Sequence, residues 1–348
     1  MCQSGESWID NYFELLTRGT EAGQREALAL KRSNFPEALY RYRSLERLAY
    51  RLEELRDGYV FRTNPANFTD PYDSALSASS EQFRRQVLEK VGPEYGLSYD
   101  PDAESKFLES LGEKEKEQWR IEQELEQLSH EYLLAGFMSL IYGPCDVSSV
   151  SSKDVFSVLE SIANGRNASP EKHAAFSILR NPVRVSCFAT NPKSVVMWSH
   201  YAKNHTGICV EYPRSAMLAD AKVLELLHPV RYTETLWDAS QLPWPIMPGI
   251  EINQVPSQSP LEAWPIVAAC HKSKDWAYER EWRLVSLDPE SRKEPKFFLR
   301  SYGVRPSRII LGARIDEADR AAIKDLAQKI SVPVVNAHLA KERFEIGF

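Results

Sequence analysis

Two rhythms of apolar and polar positions run along this chain, and they separate helices from strands. Leu45, Leu48, Leu52 and Leu55 recur at helical spacing, with Ser44 placed to cap the first turn and Asp57-Gly58 to stop the last. That spacing predicts a helix ending near Arg56, flanked by strand-like runs at 38–42 and 59–61. Residues 4–34 predict one or two short helices with a charged face, clearest over 21–31. Later the period drops to two: 183–188 and 207–212 alternate, and 230–232 is a short strand. A brief helix is expected at 196–202 and a longer one at 263–274. Residues 309–311 read as a buried strand, 317–330 as an amphipathic helix and 332–336 as a last strand.

The middle of the chain has another texture. Residues 81–91 and 103–142 predict helices, 113–128 is dense in Glu, Lys and Gln, and a further helix is expected at 153–164. A charge run of this kind is a solvated helix face. Two proline-bearing loops stand apart, at 64–73 and 243–260. The predicted fold is α+β, with a mixed, split β-sheet core. Residues 1–34 form an N-terminal helical extension, 35–76 and 180–348 the core, and 77–179 a helical insertion.

Composition narrows the function classes. A net charge of -6 argues against a whole-surface grip on nucleic acid or anionic membrane. Glu6, Asp10 and Glu14 interrupt the N-terminal apolar runs, so no signal peptide is expected, and no apolar stretch is long enough to span a bilayer. The expectation is a cytoplasmic protein with no membrane partner. Five scattered cysteines are a reduced pattern, with Cys187 and Cys209 expected as small buried hydrophobes in strands. Cys270, His271, His200 and His205 are the nearest approach to metal donors, yet none falls in a metal-ligand spacing, so no metal is expected.

The densest chemistry lies at 274–285, KDWAYEREWRLV. Strand alternation would set Glu279, Glu281 and Arg283 on one face and Tyr278, Arg280, Trp282 and Leu284 on the other. Further motifs are Leu39-Tyr40-Arg41-Tyr42, Asn67 through Asp73, Met197 through Ala202, His205 through Glu211, and Arg308 through Gly312. In this order, over roughly residues 35–315, they resemble the bacterial family called domain of unknown function 2971. Thr69 departs from the Asn more usual there, and keeps a hydrogen-bonding side chain.

More distantly, the layout resembles the ADP-ribosyltransferase fold. A basic-aromatic first strand, a helix, a Gly and a closing Glu-x-Glu strand occur in that order. This resemblance implies NAD as the substrate and a macromolecular acceptor, protein or nucleic acid. Glu281 would stabilise the oxocarbenium-like transition state, and Glu279 would position or deprotonate the acceptor. Arg41, beside Tyr40, would hold the phosphates, unless it simply pairs with Asp70 or Glu281. Tyr72 or Trp198 would stack on nicotinamide, unless both are core aromatics. The family's bacterial setting suggests a toxin or phage-defence effector with an antitoxin or regulatory partner. A second reading is a non-catalytic module that binds nucleotide or nucleic acid through Arg41, Trp198, Lys272 and Arg283. A third takes His200 and Tyr201 as the acid–base pair of a nuclease or hydrolase.

Overall fold

The computed structural model describes residues 7–18, 20–70, 183–238, 266–287 and 296–348, with scattered residues between 72 and 116. The helices expected within 77–179 and the loop at 243–260 fall largely outside these. The described chain builds a mixed α/β arrangement on one seven-stranded sheet.

In chain order the strands of that sheet are β1 (Ala38–Arg43), β2 (Val183–Ala189), β3 (Ile208–Pro213), β4 (Leu227–Pro229), β5 (Glu281–Leu287), β6 (Arg308–Leu311) and β7 (Val334–Asn336). Across the sheet they run β7-β6-β3-β1-β2-β5-β4. All neighbours are antiparallel except β6 and β7, which are parallel. A parallel pair needs a crossover, and the helix Glu317–Lys329 supplies it, capped by Asp316 on Asp319 N–H at 2.8 Å. Other helices with described bounds are α1 (Ser7–Thr17), α2 (Glu21–Ser33), α3 (Leu48–Asp57), α4 (Val195–His200), α5 (Arg214–Ala219) and α6 (Ala221–Leu226), and the crossover is labelled α7.

Alternation gives the sheet two apolar faces. Leu39, Phe188, Val210, Trp282, Leu284 and Ile309 face one way, packed with Leu55 of α3, Val223 of α6 and Ile323 of α7. On the other side Tyr42, Ala189, Cys209 and Ile310 meet Met197 and Trp198 of α4. Val183, Val185 and Val285 meet Tyr12, Phe13 and Leu15 of α1. Each such side chain contributes about 1.5–3 kcal/mol by leaving water, so the sheet fixes whatever stands on it. Cys187 and Cys209 lie in strands as expected, the latter buried.

Between β1 and β2 the sheet parts. β1 pairs with β3 along its whole length, and β2 does so with β5. Between themselves β1 and β2 share the single registered pair Tyr40–Ala189. A bridge from Thr63 to Val185 closes the far end of the gap. The opening lies between, beside residues 41–43 and 186–188. Gly207 lets the neighbouring turn approach closely, since a Cβ there would lie 2.1 Å from the Arg43 carbonyl oxygen.

Three local expectations need correction. Helix α3 starts at Leu48, because Ser44 Oγ accepts from Glu46 N–H in a preceding turn and does not cap it. Its end is as expected: Gly58 takes the left-handed conformation (φ 71°) that stops a helix. The helix expected over 263–274 does not continue past residue 269. Instead His271–Ser273 pairs in parallel with Arg231–Thr233, and Lys274–Glu279 forms a 3₁₀ turn. Arg280 then adopts φ 46°, which breaks the extended backbone. Strand β5 therefore begins at Glu281, and Glu279 stands on a turn and not on the strand.

Candidate functional site

A cavity of about 640 Å³ occupies the opening. Four successive residues of β1, 40–43, and five of β2, 185–189, line it. Successive strand residues point to opposite faces, so a cavity touching all of them lies along the strand edges and reaches both faces of the sheet. The remaining walls come from α3, the 61–73 loop, α4, the 3₁₀ turn and β5.

One end holds a buried ion cluster. The Arg283 side chain is 0% exposed and donates from both terminal nitrogens to Asp73 at 2.7 Å, in a fork. It also donates to Glu281 at 2.9 Å and to the Ala269 carbonyl at 2.5 Å. Lys272 Nζ donates to Glu279 at 2.7 Å and lies 3.3 Å from Asp73 and 3.7 Å from Glu281. Tyr201 donates to the other Glu279 oxygen at 2.5 Å. Trp276 covers Lys272, whose Nζ is 4.8 Å from the ring centre. The Glu281 backbone N–H donates to Tyr232 Oη at 2.8 Å, fixing the start of β5.

Electrostatics separate the members of this cluster. Burial pushes the Glu279 carboxyl up, and the Glu281 charge adds to that; Lys272 and Tyr201 only partly oppose it. Burial also works against the charged form of Asp73, but Arg283 outweighs it and holds that carboxyl below its usual range. For Lys272 burial acts downward, and Glu281, Glu279 and Asp73 together outweigh it and raise the ammonium. Burial and the neighbouring Glu281 push the Cys187 thiol well up, so it is inert as a nucleophile. Three carboxylates (Asp73, Glu279, Glu281) thus face two cations (Lys272, Arg283), an excess of one negative charge. A buried excess of this kind attracts a proton or a developing positive charge.

At the other end the sign reverses. Glu54 of α3 receives Arg41 at 3.1 Å, Arg43 at 3.3 Å and Arg51 at 2.7 Å. Arg41 lies over the Phe188 ring, 5.3 Å from its centre, and donates to the Phe61 carbonyl at 3.4 Å. Arg47 and Tyr50 stand at the mouth, with Tyr50 51% exposed. Burial first, and Arg43 second, lower the Arg51 guanidinium.

The structure sorts the residues expected from sequence. Glu279, Glu281, Tyr40, Arg41 and Tyr201 all line the cavity. Arg41 pairs with Glu54, not with Asp70 or Glu281, and sits on the Phe188 face, whereas Glu281 stands on the opposite one. Trp198 is 0% exposed: it meets Tyr42 edge-on, stacks on His205 and donates to the Pro192 carbonyl, so its ring is core. Tyr72 is 61% exposed, because the turn in which Asp70 accepts from Tyr72 N–H sends Asp73 inward and Tyr72 outward. Neither ring offers the expected stacking face to the cavity. His200 is exposed beside Tyr278, since the helical turn that brings Met197 and Tyr201 inward carries it away. His205 is buried on Trp198, and burial lowers its imidazole. Among the described residues no cluster of His, Cys, Asp or Glu is arranged to hold a metal.

Sequence reasoning gave no role to Asp73, Glu54, Arg43 or Arg51. Asp73 closes the Asn67–Asp73 motif, and Arg51 and Glu54 stand at the i,i+3 helical spacing that pairs charges, but nothing in the spacing brings Arg43 to them or Asp73 to Arg283.

Residues 197–284 match a family model described as Protein of unknown function (DUF2971). That is the family the motifs point to. The matched segment carries Tyr201, Lys272, Glu279, Glu281 and Arg283, whereas Tyr40, Arg41, Glu54 and Asp73 lie before it, so the match is shorter than the 35–315 span of the motifs. No curated protein and no solved structure matches the chain.

Proposed function

We propose that the cavity is the active site of an NAD-consuming ADP-ribosyltransferase. The observation that carries this reading is the opposed charge of its two ends: one excess negative charge around Glu279 and Glu281, and an excess of positive charge around Arg41. A dinucleotide breaking its nicotinamide–ribose bond has the complementary form, with anionic phosphates at one place and growing positive charge on the ribose at another. The volume lies within the range of small-molecule sites. No spanning segment argues against such a role, since no described helix is long and apolar enough to cross a membrane.

The chemistry follows from the residues. Arg41 holds phosphate oxygens. As the C–N bond breaks, its electron pair leaves with nicotinamide, and the Glu281 carboxylate stabilises the charge left on the ribose. The acceptor's nucleophile bonds to the anomeric carbon and gives up its proton to Glu279, whose raised carboxyl suits it for proton transfer. Lys272 and Tyr201 orient Glu279 for that step. The acceptor is a macromolecule, and growth arrest on expression tests the toxin or defence reading.

A second reading rests on one observation. Glu279 and Glu281 are both ion-paired, so the cluster also serves as a rigid, ion-paired floor for a nucleotide that is bound and not cleaved. Incubating the purified protein with labelled NAD and lysate separates the two. A transferase releases nicotinamide and labels a macromolecular fraction, and Glu281→Gln abolishes both. NAD binding without turnover in the wild type would leave the recognition module as the function.

A further inference from the structure

The arginine end holds more positive charge than its own carboxylate neutralises. Three guanidinium groups (Arg41, Arg43, Arg51) meet the single carboxylate of Glu54, an excess of two positive charges. All three also line the cavity, so the excess faces its interior. The Arg41 side chain is 3% exposed, yet its Nε and Nη1 have no hydrogen-bond acceptor, and neither does Arg43 Nε. Glu54 lies 3.1 Å from Arg41 Nη1 as an ion pair without completing a hydrogen bond there. Buried N–H groups left unpaired cost about 1–3 kcal/mol each. Nε is left in this state at Arg283 and other arginines too, so it is the unpaired Nη1 of Arg41, together with the excess of two positive charges, that marks this end as short of an anion.

From this geometry we infer that Arg41, Arg43 and Arg51, gathered by Glu54, form a phosphate-binding subsite for a group carrying two or more negative charges. Glu54 is a positioning residue. It brings three like charges together before the ligand arrives, which lowers the ordering cost of binding. Arg43 and Arg51 keep about a fifth of their side-chain surface, so the site is open toward the Arg47 and Tyr50 mouth. Planar forked donors suit phosphate oxygens. The same phosphate chemistry is offered by a free nucleoside diphosphate and by the terminal phosphate of a nucleic-acid strand. The inference deepens the transferase reading by extending its phosphate contact beyond Arg41, but it does not depend on catalysis.

The test is calorimetric titration of the full chain with inorganic pyrophosphate, ADP, and a short oligonucleotide with and without a 5′-phosphate. Pyrophosphate should bind the wild type, and Arg43→Gln and Arg51→Gln should each weaken it about tenfold while circular dichroism is unchanged. Raising salt should weaken it further. Lys329→Gln, which removes an exposed cation outside the cavity lining, should leave pyrophosphate affinity unaltered. If ADP binds tighter than pyrophosphate, the source is the free nucleotide; if the phosphorylated oligonucleotide binds tighter than both, the source is the strand end. No pyrophosphate binding, or binding indifferent to both arginine variants, would overturn the subsite even if NAD were consumed. Pyrophosphate binding with no NAD turnover would keep the subsite and discard the transferase. Should Arg51→Gln fail to fold, Arg43→Gln decides.

Discussion

The two ends of the cavity solve the burial of charge in opposite ways. At the Glu281 end each cation has more than one carboxylate partner, and Arg283 is closed in by a fork to Asp73, a bond to Glu281 and a backbone carbonyl. At the Arg41 end three cations share one carboxylate, and several N–H groups stay unpaired. The first arrangement, in which only Nε of Arg283 lacks an acceptor, is a nearly closed network that also presents carboxylates to the cavity. The second resembles half of an interaction. A buried pair that is complete holds its members in place, and breaking it is costly; an incomplete set has affinity to spare for a ligand.

The largest expected effect tests that difference through stability. Arg283→Met strands Asp73 and Glu281 without their main partner, and should cost about 3–5 kcal/mol. Arg43→Gln at the other end relieves crowding of like charge, and should cost under about 1 kcal/mol. Urea unfolding followed by tryptophan fluorescence measures both, and equal losses would erase the contrast. Adding Asp73→Asn to the Arg283→Met background removes one stranded carboxylate, returns the cluster to its native excess of one negative charge and should recover part of the loss.

Next comes Glu281→Gln. If this carboxylate meets a developing ribose cation, NAD turnover should fall about 10²–10³-fold, or ~2.7–4 kcal/mol. Because Glu281 also accepts from Arg283, the variant should lose some stability too, about 1–3 kcal/mol. The protein should still fold, and a fully active, well-folded variant would remove Glu281 from the chemistry.

Glu54→Gln addresses the arginine end. It leaves three guanidinium groups without their counter-charge, and should destabilise by about 1–3 kcal/mol. Added pyrophosphate should raise the melting temperature of this variant less than that of the wild type, since the arginines are no longer gathered before the anion arrives. An equal rise in both would argue that Glu54 does not organise the site.

The smallest effects are slopes with pH. The native Glu279 carboxyl is raised, so its contribution to stability is present in acid and is lost as pH rises through its native value. The native Asp73 carboxyl is lowered, so its contribution is present above the ordinary carboxylate range and is lost as pH falls through its native value. Relative to wild type, Glu279→Gln should therefore improve as pH rises from the ordinary carboxylate range toward neutrality, whereas Asp73→Asn should worsen as pH rises from acid up to that range and stay level above it. Denaturation at a series of pH values reads both slopes, and slopes of the same sign would contradict the assignment.

Local sequence by itself determined much of the scaffold. Apolar periods marked the strands at 38–43, 183–189, 208–213 and 308–311 and the helix at 317–329 within a residue or two, because each buries one face or stripe. Asp57-Gly58 marked a helix end because glycine alone adopts φ 71° there without strain. Glu281, Glu279, Tyr40, Arg41 and Tyr201 were picked out by the motifs of the family resemblance and not by these periods. The periods erred where a single backbone angle overrode them, as at Arg280, and where a helix period over 263–274 gave way to sheet pairing at His271.

Only the tertiary structure decided who meets whom. Asp73 and Arg283 are 210 residues apart in sequence and share a fork of two 2.7 Å hydrogen bonds. Arg51 and Glu54 pair within one helix at i,i+3 spacing, but Arg41 and Arg43 of β1 reach Glu54 only through the way α3 packs on the strand. Trp198 and Tyr72 show the same limit, since an aromatic side chain reads alike whether it ends at 0% or 61% exposure. Periodicity reports a residue's own backbone and one buried face. Charge pairing across a cavity depends on how distant elements pack, and that is a property of the whole fold.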